Sequence, residues 1–127
     1  MLLVPTELRP SPIHGIGVFL LAPVKKGEMI WHFDSRIDRA YTETEIQSLP
    51  ALAQKFIKKY TSLDQETGLW VYCGDDARFF NHSYQPSTLS LGIGFADDVA
   101  AQDLVAGEEL TSDYRTICDI TRLTGEL

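Results

Sequence analysis

Three short stretches of this chain gather the residue types that bind ligands or move protons. His14-Gly15-Ile16-Gly17-Val18-Phe19 is a turn whose glycines leave backbone N–H and C=O groups open to close approach. Leu20 occupies the place of a third glycine, a strand is expected to follow, and no Lys-Ser/Thr pair comes after the turn. Neither a dinucleotide fingerprint nor a P-loop is therefore served, and read alone the stretch is also a glycine-tightened hairpin. Arg78-Phe79-Phe80-Asn81-His82-Ser83 sets polar groups directly behind two large apolar residues. Asn81 and His82 there either satisfy buried backbone groups or present donors and acceptors to a ligand. The third stretch, Ala106 to Tyr114, runs from a turn through a short strand to Ser112, Asp113 and Tyr114. Its tyrosine is either a core residue with a satisfied hydroxyl or a positioned donor and acceptor in a cleft.

Other chemistries lack their patterns. His14, His32 and His82 show no ligand spacing, and Cys73 and Cys118 make neither a disulfide framework nor a four-cysteine zinc site, so no metal is expected. Both thiols read as structural, in keeping with a reducing compartment. Asp75-Asp76 and Asp97-Asp98 are unsuited to a carboxylate dyad, because neighbours on a strand point to opposite faces; they read as turn and surface residues.

The 127 residues, 44% hydrophobic and 23% charged, suit one domain spanning 1–127. The longest apolar run, Val18 to Ala22, is far below the ~20 residues of a membrane span, and the first residues lack the features of a secretory signal. The chain reads as cytoplasmic, with export into a host cell by a route without a cleavable signal as the variant reading. Its net charge of −7 is uneven: residues 1–59 carry eight Lys and Arg against six acids, and residues 60–127 three against twelve. Such an acidic half disfavours nucleic acid and attracts a cationic peptide or amine, although acidic surfaces also serve solubility.

The elements that must position these groups are short. Leu8 to Ser11, Val18 to Ala22 and Met29 to Phe33 read as three strands of an antiparallel meander separated by turn residues. Thr42 with Glu45 forms a capping box, and apolar residues recur with helical spacing from Leu49 through Tyr60, so a helical insert is expected over about 42–60. Leu69 to Cys73 reads as a buried strand. Leu89, Leu91, Ile93 and Phe95 alternate with small or polar residues, the mark of a strand with one covered face. Val99 to Ala101 and Glu109 to Thr111 flank a turn, and Ile117 to Leu123 suits a last helical turn. The whole is α+β, mostly β, with one helical insert.

Taken in order and spacing, the segments from Pro12 to Tyr114 resemble the SET domain of protein-lysine methyltransferases. The resemblance rests on the glycine turn, on Gly27-Glu28-Met29-Ile30, on Arg78 to Ser83 followed by Pro86, and on Asp103-Leu104-x-x-Gly107-Glu108-Glu109-Leu110-Thr111-x-Asp113-Tyr114. In particular it looks like the compact bacterial SET proteins, in which a stretch like Trp31-x-Phe33-Asp34 follows the third strand.

That resemblance implies small curved sheets, a helical insert and a C-terminal segment threaded as a pseudoknot, a topology no periodicity reveals. It implies S-adenosylmethionine as cofactor, a lysine-containing basic protein or peptide, histone-like in character, as partner, and methyl transfer through a narrow channel. Carried over, Gly15, Ile16 and Gly17 hold the methionine part of the cofactor, Asn81 and His82 contact its amino group and adenine, and Tyr114 is the catalytic tyrosine. Phe33, Tyr72, Phe80 and Ser112 fall to the substrate channel. Tyr84 stands where relatives with a C-terminal zinc cluster have cysteine, so zinc is not expected, and Ser87 replaces an asparagine after the proline. Phe33 stands where a channel tyrosine is common, and Ser112 where an aromatic residue helps set the number of methyl groups. These departures leave a catalytically silent SET-like module that binds a basic peptide as the alternative. A homodimer is expected on the ground that so small a domain lacks the flanking segments that complete the channel in larger relatives.

Overall fold

In the computed structural model, which describes residues 1–92 and 95–114, the glycine turn joins a hairpin. β1 (Thr6–Pro10) and β2 (Ile16–Leu20) pair antiparallel, with Leu8 opposite Val18. Val18 to Leu20 are buried in succession, as suits an apolar run in a strand covered on both faces.

The expected three-stranded meander stops after this hairpin. A turn led by Val24 docks on Leu104, the two residues exchanging backbone hydrogen bonds of 3.0 and 2.9 Å, and this diverts the chain to a second sheet. There β3 (Met29–Trp31) pairs with β9 (Asp98–Ala100), which pairs with β8 (Thr88–Ser90). The place beside β2 is taken by β10 (Glu109–Ser112), whose other edge runs parallel to the two-residue β7 (Asn81–His82). The first sheet is thus ordered β1-β2-β10-β7. Segments almost a hundred residues apart in sequence become neighbours, and all three of the stretches singled out above meet in one sheet, with β10 between β2 and β7.

A third sheet, β4-β6-β5, is built from β4 (Arg39–Tyr41), β6 (Trp70–Tyr72) and β5 (Thr61–Leu63). Between its strands lie α1 (Glu43–Gln47) and α2 (Ala51–Tyr60), within the expected insert. Thr42 and Glu45 close both arms of the capping box at 3.1 Å, satisfying two backbone donors that a helix start leaves orphaned. The Glu43 carboxylate accepts from Lys58 Nζ at 3.2 Å and Trp70 Nε1 at 2.7 Å, and these bonds hold its pKa below the usual range. The helical spacing overstates the burial of α2: Ile57 is buried, whereas Leu52 is 83% exposed.

The alternating segment after Thr88 also differs from expectation. The strand ends at Ser90, with Thr88 buried and Leu89 and Leu91 exposed, so the polar residue rather than the leucines faces the protein. The reason lies across the sheet: Thr88 Oγ1 donates to the Thr111 carbonyl at 2.8 Å, and Ser87 and Thr111 exchange backbone-to-hydroxyl bonds of 3.0 and 2.9 Å. These side chains join the second sheet to β10 and give Ser87 a bonding role.

Val18, Leu20, Ile30, Ala100, Leu104 and Leu110 form the main core between the first two sheets, and Ile46, Ile57 and Trp70 a smaller one under the helices. No described helix is long and apolar enough to cross a membrane. The expected helical turn at Ile117 to Leu123, Cys118 and the C-terminal segment that the resemblance implies is threaded fall outside the described residues.

Candidate functional site

The glycine turn is held from the opposite strand. Gly15 adopts a φ of +46°, with open space where a side chain would project. The side-chain amide of Asn81, in β7, donates to the carbonyl oxygens of His14 at 3.0 Å and Ile16 at 3.3 Å, and to Glu109 Oε2 at 2.9 Å. Glu109 in turn accepts from the Ser11 hydroxyl at 2.8 and 3.0 Å. Turn, β7 and β10 are therefore one hydrogen-bonded unit in which each partly buried acceptor has a donor. Ser11 and Glu109 were not singled out from sequence as site residues; they lie 98 positions apart, and only the pairing of β2 with β10 joins them.

His82 follows Asn81. Its Nδ1 accepts from the Tyr114 backbone N–H at 3.0 Å, so the neutral ring carries its proton on Nε2. That Nε2 is buried and has no hydrogen-bond partner among the described residues. Asp113 Oδ1 stands 4.0 Å from Nδ1, too far to displace the backbone donor. An orphaned buried donor beside an open glycine turn is the arrangement expected where a ligand supplies the missing acceptor. The Asn81–His82 and Gly15–Gly17 residues accordingly fit a polar cofactor such as S-adenosylmethionine.

Tyr114 lies where this region meets a cleft. Its ring sits 5.2 Å from that of His82, and its hydroxyl donates to the Phe80 carbonyl oxygen. The cleft, about 140 Å³, is lined by Tyr114, Phe80 and Ser112 together with Trp31, Phe95 and Asp98. Its rim is formed by Tyr60 and Arg78, whose guanidinium lies 5.5 Å from the Tyr60 ring centre. Phe80 and Ser112 are both buried, and the Ser112 hydroxyl is 3.3 Å from that of Thr88.

The remaining channel residues stand back from this space. Phe33 packs behind the wall, 6.4 Å from the Trp31 ring and 4.8 Å from Phe95. The Tyr72 hydroxyl accepts from Arg78 Nη1 at 2.7 Å and so braces the rim.

Of the aspartates read as turn and surface residues, Asp98 departs from that reading. Asp75 caps the 3-10 helix Asp76–Phe79, accepting from Ala77 N–H at 3.0 Å and from Leu2 N–H at 2.8 Å. Asp98 belongs to β9 and lines the cleft instead of lying at the surface; desolvation by burial pushes its carboxyl up to about 7. Asp97, just before β9, meets His32 Nδ1 at 2.6 Å. Cys73 also lines the cleft, and burial pushes its thiol up to about 12, which leaves it unreactive at neutral pH. Among the described residues no three His, Cys, Asp or Glu side chains gather where they could hold a metal ion.

Comparison with known proteins agrees with this architecture. The chain aligns over 94% of its length with a chain of the Polycomb Repressive Complex 2 of Chaetomium thermophilum, solved as a humanized mutant bound to an inhibitor, at a TM-score of 0.66 and 20% identity. It covers 16% of that much longer chain. A putative histone methyltransferase of Plasmodium falciparum is similar over 87% of this chain and 96% of its own, with a TM-score of 0.57 and 16% identity. At these identities the likeness is one of fold. The sequence model of the SET domain matches residues 15–115, from the glycine turn to just past Tyr114, and the chain belongs to the SET-domain family.

Proposed function

We propose that this protein is an S-adenosylmethionine-dependent protein-lysine N-methyltransferase acting on a basic protein. The observation that carries the reading is the double attachment of Tyr114: its backbone N–H holds His82, and its hydroxyl holds the Phe80 carbonyl in the cleft. One residue thereby links the region suited to the cofactor with the region suited to a lysine side chain.

When bound, S-adenosylmethionine supplies a methyl group on a sulfonium, and transfer to an amine is an in-line displacement that needs no covalent enzyme intermediate. The work left to the protein is positioning and desolvation. Asn81 commits its amide N–H groups to the turn and Glu109, leaving Oδ1 to accept from an amino group, while His82 Nε2–H offers a donor to a ring nitrogen. Trp31, Phe80 and Phe95 give the cleft apolar walls that exclude water from an entering lysine. Lysine, with a reference pKa of about 10.4, is neutral only about once in 2,500 at pH 7, a cost of about 4.6 kcal/mol that such walls reduce by disfavouring the charged form. The Tyr114 hydroxyl and the Phe80 carbonyl orient the amine by their dipoles. The acidic second half of the chain draws a basic substrate towards the cleft, an attraction that weakens with salt.

The test is labelled methyl transfer to a panel of basic proteins, histones among them, with Tyr114→Phe beside the native protein. Label on lysine that falls by about a hundredfold or more in the variant is the expected result. Cofactor and peptide binding without transfer to any member of the panel would instead identify a silent peptide-binding module.

A further inference from the structure

Asp98 has no place in the chemistry described so far, yet it occupies the middle of the cleft's sheet wall. In the register of the second sheet it stands opposite Ser90 on one side and Trp31 on the other, and all three line the cleft. Residues directly opposite on neighbouring strands share a face with their Cβ atoms about 5 Å apart, so the row Ser90–Asp98–Trp31 crosses one face of the sheet. Phe95 and Phe33 extend that face with aromatic surface. A carboxyl among such groups is costly unless something in the cleft answers it. Trp31 does not: its buried Nε1–H has no hydrogen-bond partner among the described residues, Asp98 included.

We infer that Asp98 receives the ammonium group of the target lysine in the cleft and takes its proton before methyl transfer. The inference rests on the methyltransferase reading for its last step only. In the proton step an N–H bond breaks with its electron pair staying on nitrogen, and an O–H bond forms on Asp98; a cation and a carboxylate become a neutral amine and a neutral acid. The desolvation that lifts the carboxyl from 3.8 to about 7 makes it a better acceptor than an ordinary aspartate by about a thousandfold. A hydrogen bond from the Ser90 side chain opposes the rise, the nearby Asp97 charge adds to it, and the positive charge of the chain's amino terminus also opposes it. The other titratable groups around the cleft are Lys59, Tyr60 and Asp64 from α2 and the end of β5, Cys73 after β6, Arg78 of the 3-10 helix and Tyr114. Asp64 is occupied by Thr67, whose backbone N–H and hydroxyl both reach it, and Arg78 by Tyr72. The Cys73 thiol stays protonated at neutral pH.

Two measurements on the full chain decide the matter. In the first, the carboxyl signal of Asp98 is followed by carbon NMR as pH varies, with and without n-butylamine as a stand-in for the lysine side chain. Butylammonium is expected to lower the titration midpoint by about one pH unit or more, and Asp98→Asn to bind it about tenfold more weakly. An unmoved midpoint and equal binding would overturn the inference whether or not any methyl group is transferred. The second is the pH profile of kcat/KM on an unmodified lysine peptide that the protein methylates. The native rate should rise through about pH 7 as Asp98 ionises, and Asp98→Asn should lose this limb and about a hundredfold of activity at pH 7, recovering towards pH 10 as solvent deprotonates the lysine. Asp98→Glu should restore part of the limb. An Asn variant with the native profile would exclude the proton step, whereas absence of transfer by the native protein, with the amine effect on Asp98 intact, would count against the methyltransferase reading alone.

Discussion

Asn81 donates a 3.0 Å hydrogen bond to the carbonyl oxygen of His14, 67 positions earlier in the chain, and thereby fixes the glycine turn against the strand that carries His82. The same amide reaches Glu109, so its loss takes a donor from the turn and from β10 at once, with Ser11 left as the donor to Glu109. Asn81→Ala is expected to lower stability by about 1–3 kcal/mol. Cofactor affinity should fall further than stability does, because the turn and His82 lose their common anchor. Denaturant unfolding together with calorimetric titration of S-adenosylmethionine checks both.

Gly17 packs where no side chain fits. A Cβ built there would stand 2.4 Å from Glu109 Oε2 and 3.0 Å from Ser11 Cβ. Glu109 cannot swing away without breaking its bonds to Ser11 and Asn81. Gly17→Ala is expected to cost about 1–3 kcal/mol through overpacking. Gly15→Ala meets open space, and its cost of about 1–2 kcal/mol comes from the left-handed backbone alone. Combining each with Asn81→Ala separates the two causes: the Gly17 effect should shrink in the double variant and the Gly15 effect should persist.

Asp98 makes the folded protein pH-sensitive. A carboxyl whose pKa is raised by folding binds its proton more tightly in the folded state, so the folded state is favoured at low pH. That advantage is lost as pH climbs from 3.8 to about 7. Asp98→Asn, which cannot ionise, should therefore be more stable than the native protein above pH 7, by on the order of a few kcal/mol, and the difference should close below about pH 4. Thermal melts of the two proteins across this range measure it.

The capping box offers a contrast remote from the cleft. Thr42→Ala removes the hydroxyl that accepts from Glu45 N–H and should cost about 1 kcal/mol. Methyl transfer per folded molecule should be unchanged, which a turnover assay below the melting transition checks.

Much of this was legible in the chain itself, and for local reasons. Thr42 and Glu45 are three residues apart, so their capping box is written in adjacent sequence, and the glycines at 15 and 17 mark a tight turn wherever it is placed. The ordered motifs around Asn81-His82 and Tyr114 pointed to the family because residue types, order and spacing are written in the chain without reference to its packing. The β3 pairing was not legible: strand periodicity tells which residues share a face, not which strand will lie alongside, and the docking of Val24 on Leu104 sent β3 to β9. The alternation after Thr88 misled for a related reason, since hydrogen bonds to Thr111 bury the polar residue and leave Leu89 outside.

What the sequence determined by itself, then, was the glycine turn, the helix cap and the ordered residue types of the family's motifs, all of which depend on neighbours a few positions away. What the tertiary structure decided was every relationship across long separations. Glu109 became the partner of Ser11, Tyr114 the link between His82 and Phe80, and Asp98 a cleft residue where its sequence suggested the surface. The physical reason is that burial and pairing belong to the packed chain as a whole: an aspartate is an ordinary acid until strands from elsewhere take its water away.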